Sequence, residues 1–175
     1  MATPDGQYRF LDELSRCQCV NLDTNVLIYY LEDEPTRSEL VAGLFRLVLG
    51  GSLQARISAI VQMELLVKAI RTNDLSRAER VMELTELKPQ IEIVDVSRPV
   101  VMQAAFARAE GLEVADSIVL ATGAIAECDA TITNDRGWRR PLTRLARRSP
   151  LAHGGKHLVF PRMLYLDEFV DNVDK

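Results

Sequence analysis

The chain has 175 residues, 47% hydrophobic, which is enough for one globular domain with a substantial core, and a formal net charge of −4 that does not by itself suggest a nucleic-acid binder. No uninterrupted apolar stretch reaches the length of a membrane span, and MATPDGQYRFLDELSR carries charges where a secretory leader needs an apolar run. Cys17, Cys19 and Cys128 form neither a disulfide framework nor a C-x-x-C pair, so the expectation is a soluble protein of a reducing cytoplasm, with no membrane partner.

Residues 1–17 precede the first expected strand as an N-terminal extension, in which YRFLDELSR has helical spacing. A strand is expected near 18–22, then helices near 24–32 and 37–49, the second stopped by Gly50 and Gly51. LQARI (53–57) reads as another strand. Ser58 suits the cap of a helix over 59–71, and Asn73 or Asp74 the cap of one that ends before Pro89. IEIV (91–94) is a third strand, and Pro99 falls in the first turn of a helix that stops at Gly111. A helix over roughly 114–127 leads to a fourth strand, ATIT (130–133). RMLYL (162–166) makes a fifth, and DEFV begins a terminal turn. Short strands alternating with helices predict an α/β domain over 18–175, built on a parallel sheet covered on both faces. Ligands of such sheets bind beyond the carboxyl ends of the strands.

Four acids are candidates for that edge. Asp23 follows VNL at the joint between the first strand and its helix, where a helix cap is the plainer reading. Glu64 lies on the narrow polar stripe of SAIVQMELLVKAIR, either facing a cleft or pairing with Lys68 one turn on. Asp116 is the only charge in VADSIVLATGAIA; it complements the helix dipole there, but a carboxylate in so apolar a setting needs a cation, a metal or several donors. Asp135, in TNDRGW, suits a turn, with Arg136 beside it to neutralise it. Carboxylates that converge repel one another unless divalent cations sit among them. An oxygen-only donor set selects Mg²⁺ or Mn²⁺, and the lack of a His or Cys cluster argues against zinc.

The charge is unevenly spread. From Arg136 to Arg162 there are seven Arg and one Lys with no acid, which leaves 13 basic against 25 acidic residues elsewhere. Within this stretch PLTRLARRS suits a short helix. Arg136, Arg139, Arg140, Arg144, Arg147 and Arg148 are candidate phosphate contacts, and a solvated loop that offsets the acidic body is the alternative. Trp138 would stack on a base or pack internally.

Taken in order, DTNVLIYYL, SAIVQMEL and ADSIVLATGAIAECDATITND resemble the PIN-domain nucleases, most closely their VapC-type toxin branch. The resemblance runs from about residue 19 to 135 and resumes weakly at LYLDEF. It implies a three-layer α/β/α sandwich around a mainly parallel sheet of about five strands. It also implies metal-dependent endonucleolytic cleavage of RNA, with Asp23, Glu64, Asp116 and Asp135 matching the family's four acids. Thr24, Asn25 and Thr133 match its supporting polar residues. Asp23 and Asp116 would contact the metal, joined by Asp135, with Glu64 a further ligand or the group that orients water. Within type II toxin–antitoxin systems the implied partners are a cognate antitoxin and a second copy of the chain in a homodimer. A solitary RNA-processing nuclease and a catalytically inactive RNA- or protein-binding module of the same fold are the alternatives. The segment 137–161, a basic insertion, and residues 1–17 depart from the family pattern. A haloacid-dehalogenase-like phosphatase would need an Asp where the chain has Asn25.

Overall fold

The computed structural model describes residues 4–32, 34–86, 90–147 and 160–170. In chain order these form α1 (Pro4–Ser15), β1 (Cys19–Leu22), α2 (Thr24–Glu32), α3 (Ser38–Leu49), β2 (Gln54–Ser58), α4 (Ala59–Thr72) and α5 (Leu75–Glu86). They continue with β3 (Ile91–Val94), α6 (Arg98–Ala109), α7 (Val114–Ile125), β4 (Ala130–Thr133), α8 (Arg139–Arg147) and β5 (Arg162–Tyr165). The strands make one parallel sheet in the order β3-β2-β1-β4-β5, covered by helices as in a PIN-like α/β/α sandwich. Because β1 lies between β2 and β4, residues following β1 and β4 emerge side by side at the carboxyl edge.

Local signals place the boundaries. Ser58 caps α4 by accepting the Ile60 N–H at 3.4 Å. Asn73 ends the same helix in the left-handed conformation (φ 52°), and Asp74 then accepts the Arg77 N–H at 2.9 Å to start α5. Gly51, at φ 77°, makes the turn out of α3.

The register explains the two faces of the sheet. Val20, Leu22, Ala55, Ile57, Ala130 and Ile132 alternate onto one face, and all are buried in the main core. On the same face Arg162 pairs with Glu13, so α1 lies there too, beside α3, with Phe10 and Leu14 buried in that core. Burying one such side chain contributes about 2–3 kcal/mol. The extension therefore supplies part of the core.

The opposite face is polar at its centre. Asn21 is buried and donates to the Val119 carbonyl of α7 at 3.0 Å and to the Thr131 hydroxyl at 3.2 Å. The helix can come this close only because residue 123 has no side chain: a Cβ on Gly123 would lie 2.9 Å from both Asn21 Nδ2 and Thr131 Oγ1. The small-residue run of α7 thus seats the helix against β1 and β4, and this fixes the height of Asp116 in its first turn.

Candidate functional site: an acidic crevice at the sheet edge

Asp23 continues the β1 ladder through its own N–H, which donates to the Ile132 carbonyl at 3.1 Å. Its side chain is turned inward and only 6% exposed. Oδ1 accepts the Thr24 N–H at 2.7 Å, and Oδ2 accepts from Asn25 Nδ2 at 2.5 Å and from the Thr133 hydroxyl at 2.6 Å. This differs from an ordinary helix cap, whose acceptor serves the second or third N–H of the helix. The carboxylate is instead held across β1 and β4, with Asn25 and Thr133 as its props.

Glu64, half-buried on α4, accepts the hydroxyl hydrogen of Thr24. Its expected partner Lys68 bonds Glu32 at 2.5 Å. Asp116, half-buried, enters from α7. Asp135 is exposed and caps the turn at 136–138 by accepting the Gly137 N–H at 2.7 Å, while its own N–H donates to Thr133 Oγ1 at 3.0 Å. The turn reading of Asp135 holds, but its expected neutraliser reaches elsewhere: Arg136 pairs with Asp167 at 3.4 Å.

Asp23 and Asp116 feel the acids around them. Burial, which disfavours charge, pushes Asp23 up to about 6, and Asp116 and Glu64 add to the rise. The donors Thr133 and Thr24 oppose it. Burial likewise takes Asp116 to about 6, reinforced by Asp135, Glu64 and Glu113. The buried indole N–H of Trp138 lies near enough to hold Asp116 down somewhat, yet it meets no partner at full hydrogen-bonding geometry. Among the described residues, none of the four acids forms an ion pair. No three His, Cys, Asp or Glu side chains among them stand at ready-made metal-cage spacing. Oxygen donors with unneutralised negative charge nonetheless match the chemistry of a hard divalent cation.

Asn134, quoted in the sequence only as part of T-N-D, proves to be the joint behind the crevice. Its N–H donates to Asn25 Oδ1 at 3.1 Å, its amide nitrogen to the Tyr29 hydroxyl at 3.2 Å, and its amide oxygen accepts the Asp167 N–H at 3.0 Å. It thereby ties α2, β4 and the end of β5 together. Its place between Thr133 and Asp135 was the one available signal.

The basic segment is less uniform than its composition suggests. Arg139 pairs with Glu168 and lies over the Tyr165 ring at 4.4 Å, and Arg144 bonds the Glu110 carbonyl and faces its carboxylate at 3.7 Å. Arg136, Arg139 and Arg144 are thus engaged within the fold, whereas Arg140 and Arg147 stand exposed on α8. Arg148 and the rest of 148–159 lie outside the described residues. Trp138 is fully buried, so of its two readings packing is the one realised.

A profile of the PIN domain family matches residues 20–141, a span that contains all four acids. The chain belongs to the PIN domain family, the nuclease family that its motifs resemble. Solved structures share the fold at low identity. VapBC2 from Rickettsia felis, bound to a DNA fragment from its promoter, aligns at TM-score 0.55 and 19% identity, covering 70% of this chain and 92% of that one. FitAcB from Neisseria gonorrhoeae gives 0.54 and 22%, over 71% and 93%. A toxin–antitoxin complex from Klebsiella pneumoniae gives 0.50 and 22%, over 67% and 86%. A search among curated proteins finds no significant sequence match.

Proposed function

We propose that the chain is a Mg²⁺- or Mn²⁺-dependent endoribonuclease and the toxin of a toxin–antitoxin pair. The observation that carries this reading is the convergence of Asp23, Glu64, Asp116 and Asp135 at one sheet edge, with no ion pair to any of them among the described residues. Clustered unpaired carboxylates are costly, and a divalent cation among them removes that cost. Asp23 and Asp116 would hold it, with Asp135 at the rim. Bound there, such an ion supplies a water of lowered pKa and positive charge for the phosphate and leaving oxygens.

The residues of the chain set the geometry. Thr24, Asn25 and Thr133 fix the Asp23 carboxylate, so its outward lone pairs stay aimed at the crevice. Thr24 also orients Glu64, which is placed to align the attacking water. Arg140 and Arg147 offer phosphate contacts along the strand leading to the crevice. The likeness to VapBC, FitAcB and a toxin–antitoxin complex supports a cognate antitoxin as partner. That this partner covers the acids and that the chain works as a homodimer are parts of the proposal.

The test is cleavage of a mixed single-stranded RNA pool by the purified chain in Mg²⁺, Mn²⁺ or EDTA, beside Asp116→Asn prepared identically. Metal-dependent cleavage that vanishes in the variant is expected. RNA binding without cleavage in either sample would replace the nuclease with a binding module.

A further inference from the structure

We propose that Cys19 and Cys128 form a redox-active dithiol, a modification site at which a peroxide closes a disulfide between the starts of β1 and β4. The inference is independent of the proposed nuclease activity. Cys19 opens β1, and Cys128 stands two residues before β4, its neighbour in the sheet. The Asp129 N–H donates to the Cys19 carbonyl at 2.9 Å, and the Asp129 carboxylate accepts the N–H groups of Gln18 and Cys19 at 2.8 and 3.1 Å. This double clamp holds the two backbones in register and brings the sulfur atoms to 3.2 Å. A covalent S–S bond is about 2.05 Å, so side-chain rotation supplies most of the remaining approach.

The two thiols are unequal. Cys128 is 7% exposed, whereas Cys19 is partly open to solvent. Either sulfur can donate in the contact between them. With the proton on the more buried Cys128 it favours a thiolate on Cys19, as does Arg56 nearby, while burial, Asp129 and Glu92 oppose it. Cys128 correspondingly keeps its proton. Cys19 is therefore the attacking sulfur and Cys128 the resolving one. Cys17 is the internal contrast: it is buried, donates to the Glu13 carbonyl at 3.5 Å and faces Arg162 at 3.3 Å.

The chemistry balances with the peroxide as oxidant. The Cys19 thiolate attacks a peroxide oxygen, the O–O bond breaks, and with one proton taken up the products are Cys19 sulfenic acid and water. The Cys128 sulfur then attacks the Cys19 sulfur, the S–O bond breaks, and hydroxide leaves as water with the Cys128 proton. The two thiols lose two hydrogens, and the peroxide is reduced to water. The bond would join residues 109 positions apart, at the end of the strands opposite the four acids. Closing so long a loop restrains the unfolded chain, so the oxidised protein is the more stable form.

The full chain and its Cys17→Ala, Cys19→Ala and Cys128→Ala variants are to be treated with hydrogen peroxide and mapped by peptide mass under non-reducing conditions. Expected are a 19–128 cross-link in the wild type and in Cys17→Ala, none in the other two, and a thermal midpoint raised by several degrees until dithiothreitol is added. Sulfinic acid at Cys19 without a cross-link, a Cys17–Cys128 bond persisting in Cys19→Ala, or intermolecular dimers alone would overturn the proposal. Should a variant fail to fold, differential alkylation of the peroxide-treated wild type after denaturation decides. Labelling of Cys17 alone supports the dithiol, and labelling of all three thiols refutes it.

Discussion

The acidic crevice and the basic helix α8 stand close in sequence and share the carboxyl side of the molecule, but they handle charge in opposite ways. Arg136, Arg139 and Arg144 each find an acid of the same chain, in Asp167, Glu168 and Glu110. Among the described residues, Asp23, Glu64, Asp116 and Asp135 find neutral donors and one another. A charge neutralised within the fold needs no further explanation. A set of like charges left facing each other calls for a ligand from outside.

The sharpest way to break this contrast is Asp116→Asn. Under the proposed mechanism it lowers the RNA cleavage rate by about a thousandfold or more, of order 4 kcal/mol in the barrier. Removing a repelled charge also raises the thermal midpoint of the metal-free protein at pH 7.5. A midpoint that falls instead would mean the acid is part of the scaffold.

Next comes pH. Asp23 and Asp116 titrate near 6 in the fold against 3.8 for the ordinary carboxyl, so the folded state holds protons that the unfolded chain has released. Their contribution is most stabilising below pH 4 and is lost as pH rises through 6, a cost of about 2–3 kcal/mol for the buried Asp23. Glu13, Glu32 and Glu34 are lowered by their partners and act in the opposite sense, so the effect is read as the difference between wild type and Asp116→Asn. Chemical denaturation in EDTA from pH 4 to 8 should show that difference grow with pH. Mg²⁺ should restore the wild type at pH 7.5 and do little at pH 4.5.

The arginines provide a smaller and more discriminating test. Arg144→Ala should destabilise the fold by about 1 kcal/mol, since it removes the hydrogen bond to the Glu110 carbonyl and the 3.7 Å contact with its carboxylate, and should shift RNA affinity little. Arg140→Ala and Arg147→Ala should do the reverse: unchanged denaturation curves, with RNA binding weakened several-fold and its salt dependence reduced. The smallest effect is expected for Arg136→Ala, under about 0.5 kcal/mol, because its pair with Asp167 is exposed and Asp167 keeps Arg37 at 2.5 Å.

What could be read from the sequence follows the range of the forces involved. Ser58, Asn73, Asp74 and the paired glycines after α3 mark boundaries through neighbours within three residues, and the structure puts the boundaries there. The acids at strand ends were legible because the parallel topology sends every such residue to one edge. Partner choice was not legible. Lys68 prefers Glu32 to Glu64, Arg136 prefers Asp167 to Asp135, and Asn134 bridges Tyr29 to the Asp167 N–H. Each of these contacts joins distant parts of the chain, and periodicity carries no record of them. The place of α1 was half legible: its apolar spacing was plain, while the face it covers depends on Glu13 meeting Arg162.

The pairing of β1 with β4 has a consequence for timing. Asp23 is synthesised early, but the strand that supplies Thr133 comes only after α7 has been made. On a growing chain β1 can pair with β2 while its other edge stays open and the Asp23 carboxylate remains in water. Folding that depends on distant segments waits for them to emerge. An incomplete chain therefore carries no assembled crevice, and whatever the crevice does begins only once the fourth strand has docked.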